Sequence, residues 1–221
     1  MSLPEDPRRA YVTDDPVEDE RRAAKHQLVR ETKRVVEDVA LLDVGATDPS
    51  EVDELAALTA ALADRLEQAP SLRARGGPAV AGTADAALLE RSPVSGRSNP
   101  LAPPLHLEMH EGLTTGWAVY GDAYEGPPGC LHGGFVAAAF DDLMGFAQMA
   151  SGKAGFTGTL TVKMLRPTPL NVRIDYEAGL ERVEGRKIWC WATARHGDEL
   201  LAQAEIVFIS PREWPPGLPH P

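Results

Sequence analysis

The chain reads as an α+β protein in which an antiparallel β-sheet wraps around one central apolar helix, preceded by a helical extension. Three observations predict this. Residues 132–151 carry Phe135, Val136, Phe140, Leu143, Met144, Phe146 and Met149 among many alanines, apolar nearly all round, as a helix buried on most sides must be. Two strand-like runs precede that helix and four follow it, each bounded by turn residues. The links within these runs are short, which favours antiparallel hairpins.

Taken in chain order, the first fifteen residues are polar and Pro-rich and are expected to be disordered. Residues 17–43 predict a helix ending at Gly45, with Leu28, Val35, Val36, Val39 and Leu42 on one side. Ser50 with Asp53 predicts a capping box opening a second helix over about 50–68, striped by Leu55, Leu58, Leu62 and Leu66. Both stripes require a partner surface. From Ala69 to Pro104, Gly, Ala, Ser and Pro dominate, as in a linker or a long surface loop. Strands are expected at Leu105–Met109 and Thr114–Tyr120, joined by Glu111-Gly112, and then at Thr157–Leu165, Val172–Val183, Lys187–His196 and Leu200–Ile209. Their turns are Thr168-Pro169, Glu184-Gly185 and Gly197-Asp198. The expected organisation is an extension and linker over 1–98, a sheet-and-helix domain over 99–211 and a tail over 212–221.

The formal net charge of −11 is spread evenly: residues 1–100 hold 13 basic and 19 acidic groups, the rest 9 and 14. With no basic stripe, nucleic acid and anionic membrane are poor partners. No charged-then-apolar leader and no run of about 18 apolar residues is present, so a cytoplasmic protein is expected. Cys130 and Cys190 are the two cysteines, at no metal-like spacing, which suits a reduced compartment.

The chemistry gathers at Leu131-His132-Gly133-Gly134-Phe135 and at Asp141. A helix start with bare backbone N–H groups holds developing negative charge, because those amides lack intrahelical partners and the macrodipole points positive there. Asp141 stands inside the apolar run, where packing calls for no acid. A donor site plus a carboxylate is a minimal kit for attack on an activated carbonyl. Asp141 lies eight residues beyond Gly133, about 12 Å along a helix axis, further than an Asp side chain reaches. If both groups act on one carbonyl they come from different chains, which implies a homodimer with two composite sites.

His-Gly-Gly opening an apolar helix, an acid nine residues after the His, and the later Arg166-Pro167 together resemble the hotdog-fold acyl-CoA thioesterases of the phenylacetate-pathway and human thioesterase-superfamily type. Thr157, ten residues before Pro167, adds to the likeness, which covers about Asn99 to Pro211. The resemblance implies a hotdog fold, hydrolysis of an acyl-CoA to free acid and CoA, and a dimer or dimer of dimers. It implies no cofactor beyond the coenzyme A of the substrate. By it, Gly133 polarises the thioester carbonyl, His132 holds the loop that aims this amide, and Asp141 of the partner chain acts as general base or nucleophile. Thr157 orients the water or the acid. Gly134, Arg166, Lys163 and Arg195 are candidates for substrate binding, the basic groups meeting the CoA phosphates. Where some relatives carry a polar residue six positions before the His, this chain has Gly126.

Plainer readings stand beside these. Gly133-Gly134 suits close packing of a helix start, His132 suits a satisfied loop histidine, and Thr157 suits an ordinary strand. Asp142 follows Asp141, so either acid can face the site. His106 and His110 share a strand face without a third metal ligand, and Cys130 near His132 has no oriented base in sequence. Lys163, Arg166 and Arg195 also suit solvated strand ends. At the level of function, a non-catalytic acyl-CoA or lipid-binding hotdog protein keeps the pocket and loses the chemistry. A dehydratase or hydratase lacks the expected His–acid pair.

Overall fold

A computed structural model of the chain describes residues 16–72, 88–110 and 112–213. The first fifteen residues, the Arg75-Gly76-Gly77-Pro78 stretch, Glu111 and the end of the C-terminal tail lie outside the described residues. The elements are α1 (Pro16–Ala40), α2 (Pro49–Glu67), α3 (Leu88–Arg91), β1 (Leu105–His110), β2 (Leu113–Val119), α4 (Gly133–Ala147), β3 (Phe156–Met164), β4 (Arg173–Glu184), β5 (Lys187–His196) and β6 (Glu199–Ile209). Single 3₁₀ turns cover Asp122–Tyr124 and Gln148–Ser151.

The strands form one six-stranded antiparallel sheet in the order β1-β2-β4-β5-β6-β3. Alternation sorts each strand. On β5, Ile188, Cys190, Ala192 and Ala194 are buried while Trp189, Trp191, Thr193 and Arg195 face the other way. Val136, Phe140, Leu143 and Met144 of α4 lie on the inner face, against Ile174, Ile188, Leu201, Ile206 and Phe208. Each such large side chain contributes about 1.5–3 kcal/mol by leaving water. Ala178, Ala192, Ala194, Ala202 and Ala204 floor the groove and let the helix sit close. Tyr120 and Tyr176 are buried beside it, their hydroxyls 3.0 Å apart. Burial pushes the Tyr120 phenol up to about 12.

The β4–β5 and β5–β6 hairpins turn at Gly185 (φ 60°) and Gly197 (φ 56°), left-handed positions that two-residue hairpins demand. The link through Thr168-Pro169 is not a hairpin. It carries the chain from β3, on the far edge beside β6, back to β4. Pro167 and Pro169 bring no N–H to a ladder, and the link is stapled instead to the loop before α4, with Leu131 N–H donating to Thr168 O at 2.8 Å.

The extension differs from its sequence reading in three ways. Asp48, not Ser50, caps α2. Its carboxylate accepts from the Ser50 N–H at 2.8 Å and the Ser50 hydroxyl at 2.6 Å, and Pro49 takes the first helical position, where its missing N–H costs nothing. The stripes expected to pack are exposed: α2 buries no residue, and Leu28, Val35, Val36 and Val39 of α1 are at least 40% exposed. In their place α1 turns Val29, His26, Lys33 and Glu37 inward. Finally, residues 90–98 are not a linker. Glu90, Ser92, Ser95 and Ser98 are buried, and Glu90 Oε2 accepts from Ser98 Oγ at 2.5 Å and meets His26 Nε2 at 2.7 Å. The expected domain boundary at 98 therefore falls within a packed segment. Among the described residues no helix is long and apolar enough to cross a membrane.

Candidate active site

The loop from Gly126 to His132 sets the start of α4. Gly126 N–H donates to Cys130 O at 2.9 Å, and Gly129, at φ 72°, donates to Glu125 Oε1 at 2.6 Å. His132 N–H reaches Tyr124 O at 3.0 Å. The loop is thus tied to the 122–124 turn on one side and to the β3–β4 crossover on the other. Gly126 packs against His132 so closely that an added Cβ would stand 2.8 Å from its Cα. That contact leaves no room for the polar residue some relatives carry at this position.

His132 is the N-cap of α4. Its backbone is extended (φ −63°, ψ 129°), and Nδ1 accepts from the Gly134 N–H at 3.0 Å. Nδ1 must therefore be unprotonated in this arrangement. The same bond engages the Gly134 amide, so that group is a capping donor rather than a free one. The Gly133 N–H has no acceptor among the described residues. It stands at the positive end of α4 beside a cleft of about 330 Å³ lined by Cys130, Leu131, Val136, Met164, Leu165 and Pro167, with Arg166 also on its wall. Arg166 pairs with Glu199 at 3.1 Å, and its backbone N–H is held by Leu201 O.

Asp141 lies two turns along α4, on a strip with Gly134, Ala138 and Gly145 that the chain's own sheet leaves partly uncovered. Its Oδ1 accepts from Thr157 Oγ1 at 2.9 Å. The first residues of β3 bring Thr157 there, on the inner face opposite Phe208 of β6. The bond fixes the Asp141 rotamer and leaves Oδ2 without a donor among the described residues. Asp142 points elsewhere. Its Oδ1 accepts from Ser92 Oγ at 3.1 Å, while Oδ2 is buried with the Ser95 hydroxyl nearby but out of hydrogen-bond geometry. Burial raises the Asp142 carboxyl above its usual range, the Ser95 and Ser92 hydroxyls pull it back in part, and the Asp141 charge adds to the rise. The two adjacent acids thus have different surroundings, one on the open strip and one under the N-terminal segment.

Of the sequence candidates, the fold gathers His132, Gly133, Gly134 and Arg166 at one end of α4 and pairs Asp141 with Thr157 further along. Lys163 and Arg195 are not brought to either place. Strand alternation puts them on the outer face, Lys163 beside Trp191 and Glu205, and Arg195 beside Trp117 and Asp175. His106 stacks on Trp117, ring centroids 4.0 Å apart, and His110 stands 3.6 Å from Glu108. Among the described residues no group of three His, Cys, Asp or Glu is placed to hold a metal. Cys190 is buried, its thiol pushed up to about 12 by desolvation. Sequence reasoning missed Ser92 and Ser95; three-residue spacing of Ser92, Ser95 and Ser98 was the available signal.

A six-stranded antiparallel sheet curled over one helix, with a bare amide at that helix's start, defines a hotdog-fold domain. The comparisons with known proteins agree. No family model matches the chain. Acyl-coenzyme A thioesterase THEM4 of Xenopus laevis is 34% identical over 91 residues, 40% of this chain and 41% of that protein. Acyl-coenzyme A thioesterase THEM5 of Homo sapiens is 29% identical over 91 residues, 40% of this chain and 37% of that protein. The match thus spans about two fifths of these relatives' length. A crystal structure of a thioesterase superfamily protein superposes with a TM-score of 0.68 at 29% identity, covering 84% of this chain and 94% of that one. In sequence and in fold the chain is similar to the hotdog-fold acyl-CoA thioesterases.

Proposed function

We propose that the protein hydrolyses an acyl-CoA thioester to free acid and CoA in a homodimer whose two sites each combine Gly133 of one chain with Asp141 of the other. The observation that carries this is the pairing of an unengaged helix-start amide with a Thr-held carboxylate on the partly uncovered strip of the same helix, too far apart to serve one carbonyl within one chain. The names of the relatives supply the substrate class.

In this reading the thioester carbonyl oxygen accepts from the Gly133 N–H, and each such donor typically contributes ~2.7–4 kcal/mol as the oxyanion forms. Water attacks the carbonyl carbon while Asp141 Oδ2 takes its proton; Thr157 holds Oδ1. The tetrahedral intermediate collapses, the C–S bond breaks, and CoA leaves as a thiolate that recovers the proton. A thiol leaves readily, so a strong leaving-group acid is unnecessary. Direct attack by Asp141 to give a mixed anhydride uses the same geometry. The acyl group lies in the apolar cleft beside Met164 and Leu165, with Arg166 near its mouth.

The test is thiol release from acetyl-, hexanoyl-, palmitoyl-, phenylacetyl- and benzoyl-CoA. Asp141→Asn should lower turnover on the order of 10²–10⁴-fold, while Asp142→Asn leaves it within a few-fold. Wild-type protein, folded and dimeric, that binds these thioesters but releases no thiol would instead make it a non-catalytic acyl-CoA-binding protein.

A further inference from the structure

The helical extension presents an apolar surface that its own chain leaves open. Ten of the sixteen large apolar side chains that stay exposed among the described residues lie between Leu28 and Leu66. Summing their fractional exposures gives the equivalent of about five whole aliphatic side chains, on the order of 500 Å² of apolar surface. That is about the apolar share of the ~800 Å² each partner buries in a standard interface.

The local structure does not close this surface. A 19-residue helix with no buried residue gains nothing from packing, and isolated helices of such length are marginal in water. Yet α2 is well built, with an Asp48 cap, Pro49 at its start and its leucines on one side. Its own α1 is not available to it. The turn between the helices is fixed by Ala46 and Thr47 N–H bonds to Asp43 O and by Gly45 N–H on Asp43 Oδ1. In this arrangement both apolar flanks stay exposed.

Charge selects the occupant. Over its whole length α1 holds six basic and six acidic groups, but its 21–34 stretch holds six basic groups and one acid, whereas α2 holds five acids and one basic group. An acidic amphipathic helix is repelled by anionic lipid and by a second copy of itself. It complements the basic 21–34 stretch of α1, where Arg30 and Arg34 follow Leu28. We infer that α2 of one chain packs along the Leu28, Val35 and Val39 flank of α1 in a second copy of this chain, and that the second copy returns the contact. Such an exchange is self-complementary and closes as a two-fold pair. It is separate from any contact at the α4 strip and rests on no catalytic reading.

The test is cross-linking between differently tagged full-length chains in a Cys130→Ser background. One carries Val35→Cys or Val39→Cys, the other Leu58→Cys or Leu62→Cys; all four positions are exposed, so folding should be unaffected. Mild oxidation should give a disulfide-linked species containing both tags, exceeding the product of either chain alone. Adding Glu51→Lys and Glu54→Lys to the α2 chain should lower its yield at least tenfold, with the helical circular dichroism unchanged. Adding Arg30→Glu and Arg34→Glu to the α1 chain should restore it. No mixed-tag product, a product insensitive to charge reversal, or a disulfide formed only within a Val35→Cys/Leu62→Cys double-variant chain would overturn the inference.

Discussion

The sharpest consequence of the α4 geometry is complementation between two dead variants. Gly133→Pro removes the one amide assigned to the oxyanion while disturbing little else. Proline is favoured at the first helical turn, its fixed φ suits that position, and His132 before it already has the extended backbone that proline requires. An added Cβ there meets the flexible end of Met164, with Cε at 3.0 Å and Sδ at 3.3 Å. Loss of one such donor costs ~2.7–4 kcal/mol, or roughly 10²–10³ in rate. Asp141→Asn keeps the Thr157 bond and removes the base. With Gly133 and Asp141 about 12 Å apart on one helix, a mixed dimer has one site with both functional groups and one with neither. Random mixing makes about half the dimers mixed, so turnover should recover to about one quarter of wild type. The assay is thiol release from one acyl-CoA after the two variants are co-expressed with different tags. Both variants inactive alone, and still inactive in purified mixed dimers, would refute the composite site.

Three further outcomes follow from the surroundings. Gly126→Ala would put its Cβ 2.8 Å from His132 Cα, against an ordinary 3.5–4.0 Å contact, so the loop must shift by about an ångström. Turnover should fall on the order of 10²-fold with a modest loss of Tm; wild-type turnover would show the loop to be slack. The Asp142 pKa is raised above the unfolded 3.8, so the stability its proton gives is complete below that value and lost as pH climbs through the raised one. Asp142→Asn should then melt a few degrees above wild type at neutral pH and lose that margin towards pH ~4, read by calorimetry across pH. Glu90 behaves oppositely. Burial alone would raise its carboxyl, but bonds from Ser98 and His26 and the charges of His26 and Arg97 hold it below the usual range. Its stability is present above about 4.5 and lost as pH falls through the depressed value, so Glu90→Ala should cost ~1–3 kcal/mol at neutral pH and progressively less in acid, read by urea unfolding.

Period-2 and period-3.6 patterns made most elements legible. The strands come within a residue or two of their expected ends, because one face of each is packed and a one-residue slip would expose it. What alternation does not encode is which edge a strand joins. The Thr168-Pro169 link looked like a hairpin turn, and only the crossing of α4 over the sheet sends β3 to the far side. Where the proposed chemistry forces residue type, at Gly133 and Asp141, the sequence pointed to a bare helix-start amide and an acid inside the apolar helix. The fold holds an unengaged amide and a Thr157-bonded carboxylate there. No such pointer exists where a polar residue answers to a distant neighbour. Ser92 under Asp142 and His26 against Glu90 lie 50 and 64 residues apart. Composition alone made residues 90–98 look like linker, since Ser and Gly fill both loops and tight polar packing.

The buried polar segment has a consequence for the chemistry. Asp141 and Asp142 share one turn of α4, yet one faces the open strip and the other is covered by residues that arrive through the extension. A helix rotates as a unit. Whatever seats Asp142 against Ser92 therefore also fixes the direction in which Asp141 leaves the axis, and Thr157 fixes its rotamer from the other side. Removing Ser92 leaves a buried carboxylate with one donor fewer, which favours a small rotation of α4 or a proton on Asp142. Ser92→Ala should accordingly lower kcat several-fold with little change in KM, and Ser92→Thr, which keeps the hydroxyl, should restore most of it. If kcat were unchanged while Tm fell, Ser92 would serve packing alone and the orientation of Asp141 would belong to Thr157.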